Sequence, residues 1–165
     1  MSWKRADFLL TGPDDFVRLD GLCGEFVRAF FAWLQSPEGG SLDPAAAGPL
    51  GHDADRYLRD FVVDILETGP ADPDASLPRR YLANWYIVNT LTPSHEEVGR
   101  IRFALGKLYE FLSQAGVAEP AVADEVARDL SKGEFFLGRL DDFWSLTPEA
   151  IGPWRRVDDY RGRPL

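Results

Sequence analysis

The chain has 165 residues and a net charge of −9, and 45% of its residues are hydrophobic. This length suits one domain, and the apolar content is enough for a core, which excludes general disorder. Because the acidic charge repels phosphate backbones at long range, nucleic-acid binding is disfavoured.

The cysteine count and the N-terminus bear on the cellular compartment. Cys23 is the single cysteine, which excludes an intramolecular disulfide and leaves a zinc site without thiolate ligands. An apolar run of only residues 8–10 follows Lys4 and Arg5. A secretory signal needs about 7–15 apolar residues and a membrane span about 18 or more. The sequence therefore predicts a cytoplasmic protein that does not span a membrane.

The first predicted helix begins at Pro13 and runs to about Gln35. Asp14 and Asp15 follow the proline, and acidic groups stabilise the positive end of a helix dipole. Apolar residues recur at steps of three and four and define one side to be buried: Phe16, Leu19, Cys23, Phe26, Phe30 and Trp33. Ser36-Pro37 ends the helix, and Glu38 to Gly51, which is rich in Gly and Pro, is predicted to be a long loop.

Two helices are predicted in the middle of the chain. One spans about Asp53 to Glu67 and the other about Pro78 to Asn89. Their apolar sides carry Tyr57, Phe61 and Ile65 in the first helix and Tyr81, Trp85 and Val88 in the second. The loop Gly69 to Pro78 is a candidate boundary between two lobes, although neither half is large enough to form a stable fold alone.

A clear helix entrance precedes the fourth predicted helix. Either Ser94 and Glu97 form a capping box, or Thr92 caps with Pro93 at the first helical position. The helix runs to about Gln114 and ends at Gly116 in a left-handed conformation. Its apolar side is formed by Val98, Ile101, Leu105, Leu108 and Leu112.

Two glycines lie on one face of this fourth helix. Gly99 and Gly106 are seven residues apart, and a glycine inside a helix costs about 1 kcal/mol relative to alanine. We expect something to approach the helix closely there. A crossing helix is the preferred explanation and a bound ligand is the alternative.

In the last third of the chain, the sequence predicts helices at about Pro120 to Leu130 and about Glu134 to Trp144, and a short turn after Thr147. The segment Trp154 to Leu165 has no helical stripe and is predicted to be extended. No stretch shows sustained strand alternation. The predicted fold is a single all-α domain, an irregular bundle of about six helices with a short C-terminal tail at 153–165.

Few residues suggest catalysis or metal binding. His52-Asp53 resembles the dipeptide of metal-dependent phosphohydrolases, which would imply a divalent ion shared by imidazole and carboxylate. Those enzymes need further histidines, and this chain has two. Cys23 lies on an apolar helix side and is expected to be an inert core residue. We predict no catalytic residue, metal or cofactor, and a small metal-dependent hydrolase using His52, Asp53 and His95 is the first alternative.

Arginine and aromatic residues are mixed at two places, and these residue types dominate the energetics of protein interfaces. The candidate partner-binding residues are Arg79, Arg80, Trp85, Tyr86, Trp154, Arg155, Arg156 and Tyr160. They favour a non-enzymatic regulatory or adaptor protein that acts through contacts with a protein partner or through self-association. The tail is expected to dock on its own chain, then on a partner subunit, and last on nucleic acid. A DNA-associated regulator that binds through this basic tail is the second alternative.

Overall fold

The computed structural model describes residues 3–161, so the last part of the predicted tail, 162–165, lies outside the described residues. Within that range the chain is all-helical without a strand, as predicted. A 3-10 turn, Arg5–Phe8, comes first. The α-helices are α1 (Asp15–Gln35), α2 (Pro44–Asp55), α3 (Leu77–Arg80), α4 (Tyr86–Val88), α5 (His95–Gln114), α6 (Pro120–Leu130), α7 (Gly133–Trp144) and α8 (Ile151–Arg156). Two π-helical segments, π1 (Arg56–Val63) and π2 (Tyr81–Trp85), continue α2 and join α3 to α4.

The core is built from the apolar helix sides that the sequence predicts. On α1, Leu19, Cys23, Phe26 and Phe30 are fully buried, which confirms the predicted stripe. Buried residues from every helix between α1 and α8 join them in one hydrophobic cluster. None of the helices within residues 3–161 combines the length and the apolarity needed to cross a membrane.

The predicted loop Glu38 to Gly51 is wrong in its second half, because α2 begins at Pro44. The Asp43 carboxylate accepts a hydrogen bond from the Ala46 backbone N–H at 2.8 Å, and proline suits the first helical position. The three alanines that follow favour a helix and outweigh the break expected at Pro49. His52 therefore lies in a helix and not in a loop.

The helix predicted at Asp53 to Glu67 exists, but π1 changes its register. Hydrogen bonds there join residues five apart, for example from the Asp64 N–H to the Arg59 carbonyl at 3.0 Å. The wider turn buries Val63 and leaves Ile65 46% exposed. The prediction of Ile65 on the buried side was wrong because it assumed 3.6 residues per turn throughout.

The ends of α5 follow the predicted signals. The Ser94 hydroxyl accepts a hydrogen bond from the Glu97 N–H at 3.2 Å, so Ser94 rather than Thr92 is the N-cap residue. Gly116 follows the helix with φ +73°, a conformation that side chains other than glycine rarely adopt. The long α5 thus has fixed ends, and α6 follows after a short turn.

The tail is less extended than predicted. Trp154, Arg155 and Arg156 belong to α8, and the Trp154 N–H donates to the Ala150 carbonyl at 3.0 Å. The backbone becomes extended at Val157. Burial of the Trp154 indole fixes this segment against the protein, a tertiary contact that the local sequence does not reveal.

Candidate functional site

The Trp154 side chain is buried against Arg139 of α7, a residue outside the arginine–aromatic clusters noted in the sequence. The Arg139 guanidinium lies 3.7 Å from the centre of the Trp154 ring, and the indole N–H donates to the Arg139 carbonyl at 3.2 Å. Both side chains are at most 6% exposed. A guanidinium on the face of an indole gains cation–π attraction, which is stronger where water is excluded.

Two buried polar side chains bind the backbone of the tail. The Asn84 amide donates to the carbonyls of Arg155 and Val157 at 2.8 and 2.9 Å. Arg139 donates to the carbonyls of Ala83 and Trp154 at 3.1 and 2.9 Å. Burial lowers the pKa of the Arg139 guanidinium from its usual range. We call this set of contacts around Asn84, Arg139 and Trp154 the tail seam.

A charged link extends the tail seam to α6. The Arg79 guanidinium donates to the Asp129 carboxylate at 2.9 Å and to the Asp158 carboxylate at 2.8 Å. Asp129 lies in the last turn of α6 and Asp158 follows α8, so the Arg79 side chain connects both to α3. Buried or half-buried ion pairs with several hydrogen bonds hold such elements in a defined arrangement.

The candidate partner-binding residues are thus placed in different settings. Trp85, Tyr86 and Trp154 are buried within the chain, Arg79, Arg80 and Tyr160 are half-buried, and Arg155 and Arg156 are exposed. The Tyr160 ring lies 5.7 Å from that of Phe61, and the Tyr86 hydroxyl donates to Glu97 at 2.9 Å. The expected docking of the tail on its own chain is observed for residues 154–160, of which Tyr160 makes the last contact. Binding of a partner by these residues stays a prediction.

The residues named for metal chemistry have other surroundings. Asp53 is buried, and Arg100 donates to its two carboxylate oxygens at 2.8 and 3.1 Å. His95 is exposed, with its Nε2 2.7 Å from the Asp141 carboxylate, and His52 is exposed on α2. Among residues 3–161 no group of three or more His, Cys, Asp or Glu side chains is arranged to hold a metal ion.

Cys23 lies in the core. Its side chain is fully buried, and burial raises the pKa of the thiol to about 12. The reactive thiolate is therefore scarce at neutral pH, which is the property of a structural cysteine.

An open trough of about 650 Å³ lies between α5 and α6. On α5 its lining residues recur at steps of three and four, and on α6 they do the same, so each helix presents one face to the trough. The lining comprises Arg102, Phe103, Gly106, Lys107, Glu110, Ser113, Gln114, Pro120, Ala123, Asp124, Ala127, Leu130 and Ser131. We call this surface the trough.

A glycine leaves space in the trough, and the phenyl ring of Phe103 lies at its edge. A Cβ atom placed on Gly106 or on Gly99 would meet nothing within 4 Å. The expectation that a crossing helix of the chain packs on these two glycines is therefore wrong. Phe103 is 51% exposed, which is unusual for a phenylalanine beside an apolar surface.

The trough was missed by the sequence analysis, although part of its signal was recognised. Gly106 was singled out, but Ala123 and Ala127 on α6 were not. Their spacing of four residues places them on one helix face, and small side chains there leave room beside the backbone. The turn at Gly116 places α6 against α5, and for this reason the two faces adjoin.

Two of the charged side chains at the trough form hydrogen bonds to groups of their own chain. The Arg102 guanidinium donates to the Leu130 carbonyl at 3.2 Å, and Lys107 donates to Glu110 at 3.0 Å. Lys107 also lies 5.5 Å from the centre of the Trp33 ring. With two cations and two anions, Glu110 and Asp124, the lining has no net charge on a strongly acidic protein.

Comparison with known proteins gives limited similarity. No family model matches the chain, and no solved structure matches it. Part of the chain is similar to the RNA polymerase sigma factor SigA of Clostridium acetobutylicum, with 34% identity over 95 residues. The matched region covers 56% of this chain and 23% of the sigma factor, so the chain spans about a quarter of the length of that curated relative.

Proposed function

We propose that the chain is a non-enzymatic regulatory or adaptor module that acts through protein–protein contacts made at the trough. The observation that carries this proposal is the shape of the trough: two helix faces, α5 and α6, border one open apolar channel. The part of α6 that lines the trough, residues 120–130, is about 16 Å long at 1.5 Å per residue. A helix of about three turns has this length and would complete a three-helix packing.

The chemistry of the trough also favours binding over turnover. Ala123, Ala127, Leu130 and Gly106 offer contact area and close approach, and Phe103 offers an exposed aromatic anchor. Catalysis needs a nucleophile or a general base within hydrogen-bond reach of a substrate, held by a third group. The described lining supports a packing surface more directly than such an arrangement.

A site-specific crosslink tests this proposal. Ala123 in the trough is replaced by the photo-crosslinking residue p-benzoylphenylalanine, and cells that express the full chain are irradiated. We expect a protein adduct of discrete mass that disappears when Gly106→Leu fills the trough. Ala121 is exposed on the same helix outside the lining, so the same replacement there is the control.

The result that would overturn the proposal is equally direct. It fails if position 123 forms no discrete adduct, or if the adduct persists unchanged with Gly106→Leu. Circular dichroism of the Gly106→Leu chain must show the helical content of the original, because a Cβ at residue 106 points into open space.

A second candidate function is a role in association with DNA, and the similarity to a sigma factor is the observation that favours it. Arg155, Arg156 and Arg161 are the exposed cations of the described tail. Arg161 pairs with Asp159, so Arg155 and Arg156 would supply the phosphate contacts. The net charge of −9 opposes binding, so we expect it only at low salt and with steep salt dependence.

Fluorescence anisotropy with a labelled DNA duplex tests this second candidate. The full chain is compared with the double variant Arg155→Ala/Arg156→Ala, and with Arg28→Ala/Arg128→Ala, which removes two exposed arginines elsewhere. Loss of binding only in the tail variant supports the candidate. Absence of binding at low salt, or equal loss in both variants, rejects it.

A further inference from the structure

The residues of α5 in the trough are arranged symmetrically about Gly106. Arg102 precedes Gly106 by four residues and Glu110 follows it by four, and all three line the trough. Residues four apart lie on the same side of a helix. This row of three residues therefore has a cation at one end, an anion at the other and a glycine at its centre. Lys107, beside Gly106, also lines the trough and donates to the same Glu110 carboxylate at 3.0 Å within the chain.

Such a face is complementary to itself. When two identical helices cross antiparallel about a two-fold axis, residues equally far from the crossing point on opposite sides face each other. A crossing at Gly106 places Arg102 of one copy opposite Glu110 of the other, and the symmetry repeats the pair. A parallel crossing in the same register would place Arg102 opposite Arg102 and Glu110 opposite Glu110 instead, and a shifted antiparallel crossing would separate the opposite charges.

Gly106 permits the close approach that this crossing requires. Space is open where its Cβ would be, and a helix without a side chain at the crossing allows two backbones to come near each other. The exposed Phe103 lies one residue from Arg102 and would be covered by the second α5. A guanidinium carries five N–H donors, so Arg102 can bind Glu110 of another copy while it donates to the Leu130 carbonyl.

Charge also favours a second copy at this face. Each chain carries a net charge of −9, and two such chains repel each other over most of their surfaces. The trough lining contains equal numbers of cations and anions, so this surface adds no net repulsion. Opposite charges across an interface fix its register and suppress other alignments.

We infer that the occupant of the trough is a second copy of this chain, with α5 crossing α5 at Gly106 and Arg102 paired with Glu110 in both directions. This inference rests on the proposed function and names the partner of the same surface. Each copy places its α5 beside the α5 and α6 of the other, which gives a four-helix packing across the dimer.

Sedimentation velocity of the full chain over a wide concentration range tests the inference. We expect a monomer–dimer equilibrium, and an increase of the dimer Kd by about tenfold or more for Glu110→Lys and for Gly106→Leu. Glu125→Lys and Gly21→Leu are the matched controls, since both residues are exposed on helices outside the trough lining, and a Cβ at residue 21 would also meet nothing within 4 Å.

The charge controls separate the local contact from general repulsion. Both Glu→Lys changes reduce the net negative charge equally, which by itself favours association. Weaker dimerisation by Glu110→Lys alone therefore identifies the predicted contact. The inference fails if the original chain stays monomeric at all concentrations, or if its dimer is insensitive to both trough variants.

The outcome also separates this inference from the proposed function. A monomeric chain that still forms a Gly106-dependent adduct with a different protein rejects the second copy and retains the protein-binding trough. A monomeric chain without such an adduct rejects both.

Discussion

The tail seam and the trough use opposite kinds of residues for contact. The seam joins Trp154, which the sequence marks as a candidate contact residue, to Asn84 and Arg139, which it does not, and its contacts are internal. The trough is bordered mainly by glycine, alanine and long polar side chains, and it is open. Large side chains with hydrogen-bond donors are thus occupied by contacts within their own chain. The accessible concave surface exists because small side chains leave the space between two helices unfilled.

The largest expected effect tests whether the seam is structural. Arg139→Met removes the donors to the Ala83 and Trp154 carbonyls and the cation beside the indole. Because both carbonyls lose this donor and the indole loses the cation on its face in a buried setting, we expect the free energy of unfolding in urea to fall by about 3 kcal/mol. Arg128→Met, at an exposed position, should change it by less than about 0.5 kcal/mol. Equal effects of the two would show that the seam is not a major source of stability.

A smaller effect is expected for the other side of the seam. Asn84→Ala removes two hydrogen bonds to the tail and should cost about 2 kcal/mol, with faster amide hydrogen exchange in residues 154–158. Combined with Arg139→Met, it should cost less than the sum of the two, because both side chains hold the same segment. Strict additivity would contradict the seam as one unit.

Replacing the two open glycines of α5 should raise the free energy of unfolding instead of lowering it. Gly106→Ala and Gly99→Ala each relieve the cost of glycine inside a helix and have room for the new methyl group. We expect each to raise the free energy of unfolding by about 1 kcal/mol, measured at concentrations where the chain is monomeric. A loss of stability with Gly106→Ala would mean that this face is packed by its own chain.

The smallest effect is a pH dependence at the link between the two regions. A hydrogen bond from Lys132 lowers the pKa of the Asp129 carboxyl, and Arg79 and Arg128 add to this. The resulting stability is present above the ordinary pKa of 3.8 and is lost as the pH falls through the lowered value. Asp129→Asn should therefore be destabilised at neutral pH, with a difference from the original chain that shrinks in acid.

Thermal unfolding at a series of pH values measures this difference. Glu125→Gln, at an exposed position on the same helix outside the trough, is the control, and its thermal stability at neutral pH should match that of the original chain. A difference for Asp129→Asn that persists unchanged in strong acid would assign the effect to packing rather than to ionisation.

The sequence predicts those features that depend on local pattern. The stripe of α1, the Ser94 cap and the end of α5 at Gly116 follow from spacing and turn chemistry alone. The start of α2 was missed because its proline and glycines resemble a loop. The shift at π1 was missed because an i to i+5 hydrogen bond depends on packing between helices.

The candidate site was harder to predict for a related reason. Amino-acid type indicates that Trp154 and Arg139 have large contact capacity, but only the folded chain decides that they satisfy each other. A concave surface has no residue type of its own. The trough exists because the faces of α5 and α6 adjoin and are incompletely filled, which is a property of two segments together.

The double ion pair of Arg79 has a mechanical consequence. It braces the C-terminal end of α6, one wall of the trough, against α3 and the segment after α8, while α5 is anchored by its buried side. Both walls are therefore held at a set separation before anything binds. A preformed channel loses little conformational entropy on association, and loosening this brace would weaken a complex without altering any atom that touches the bound molecule.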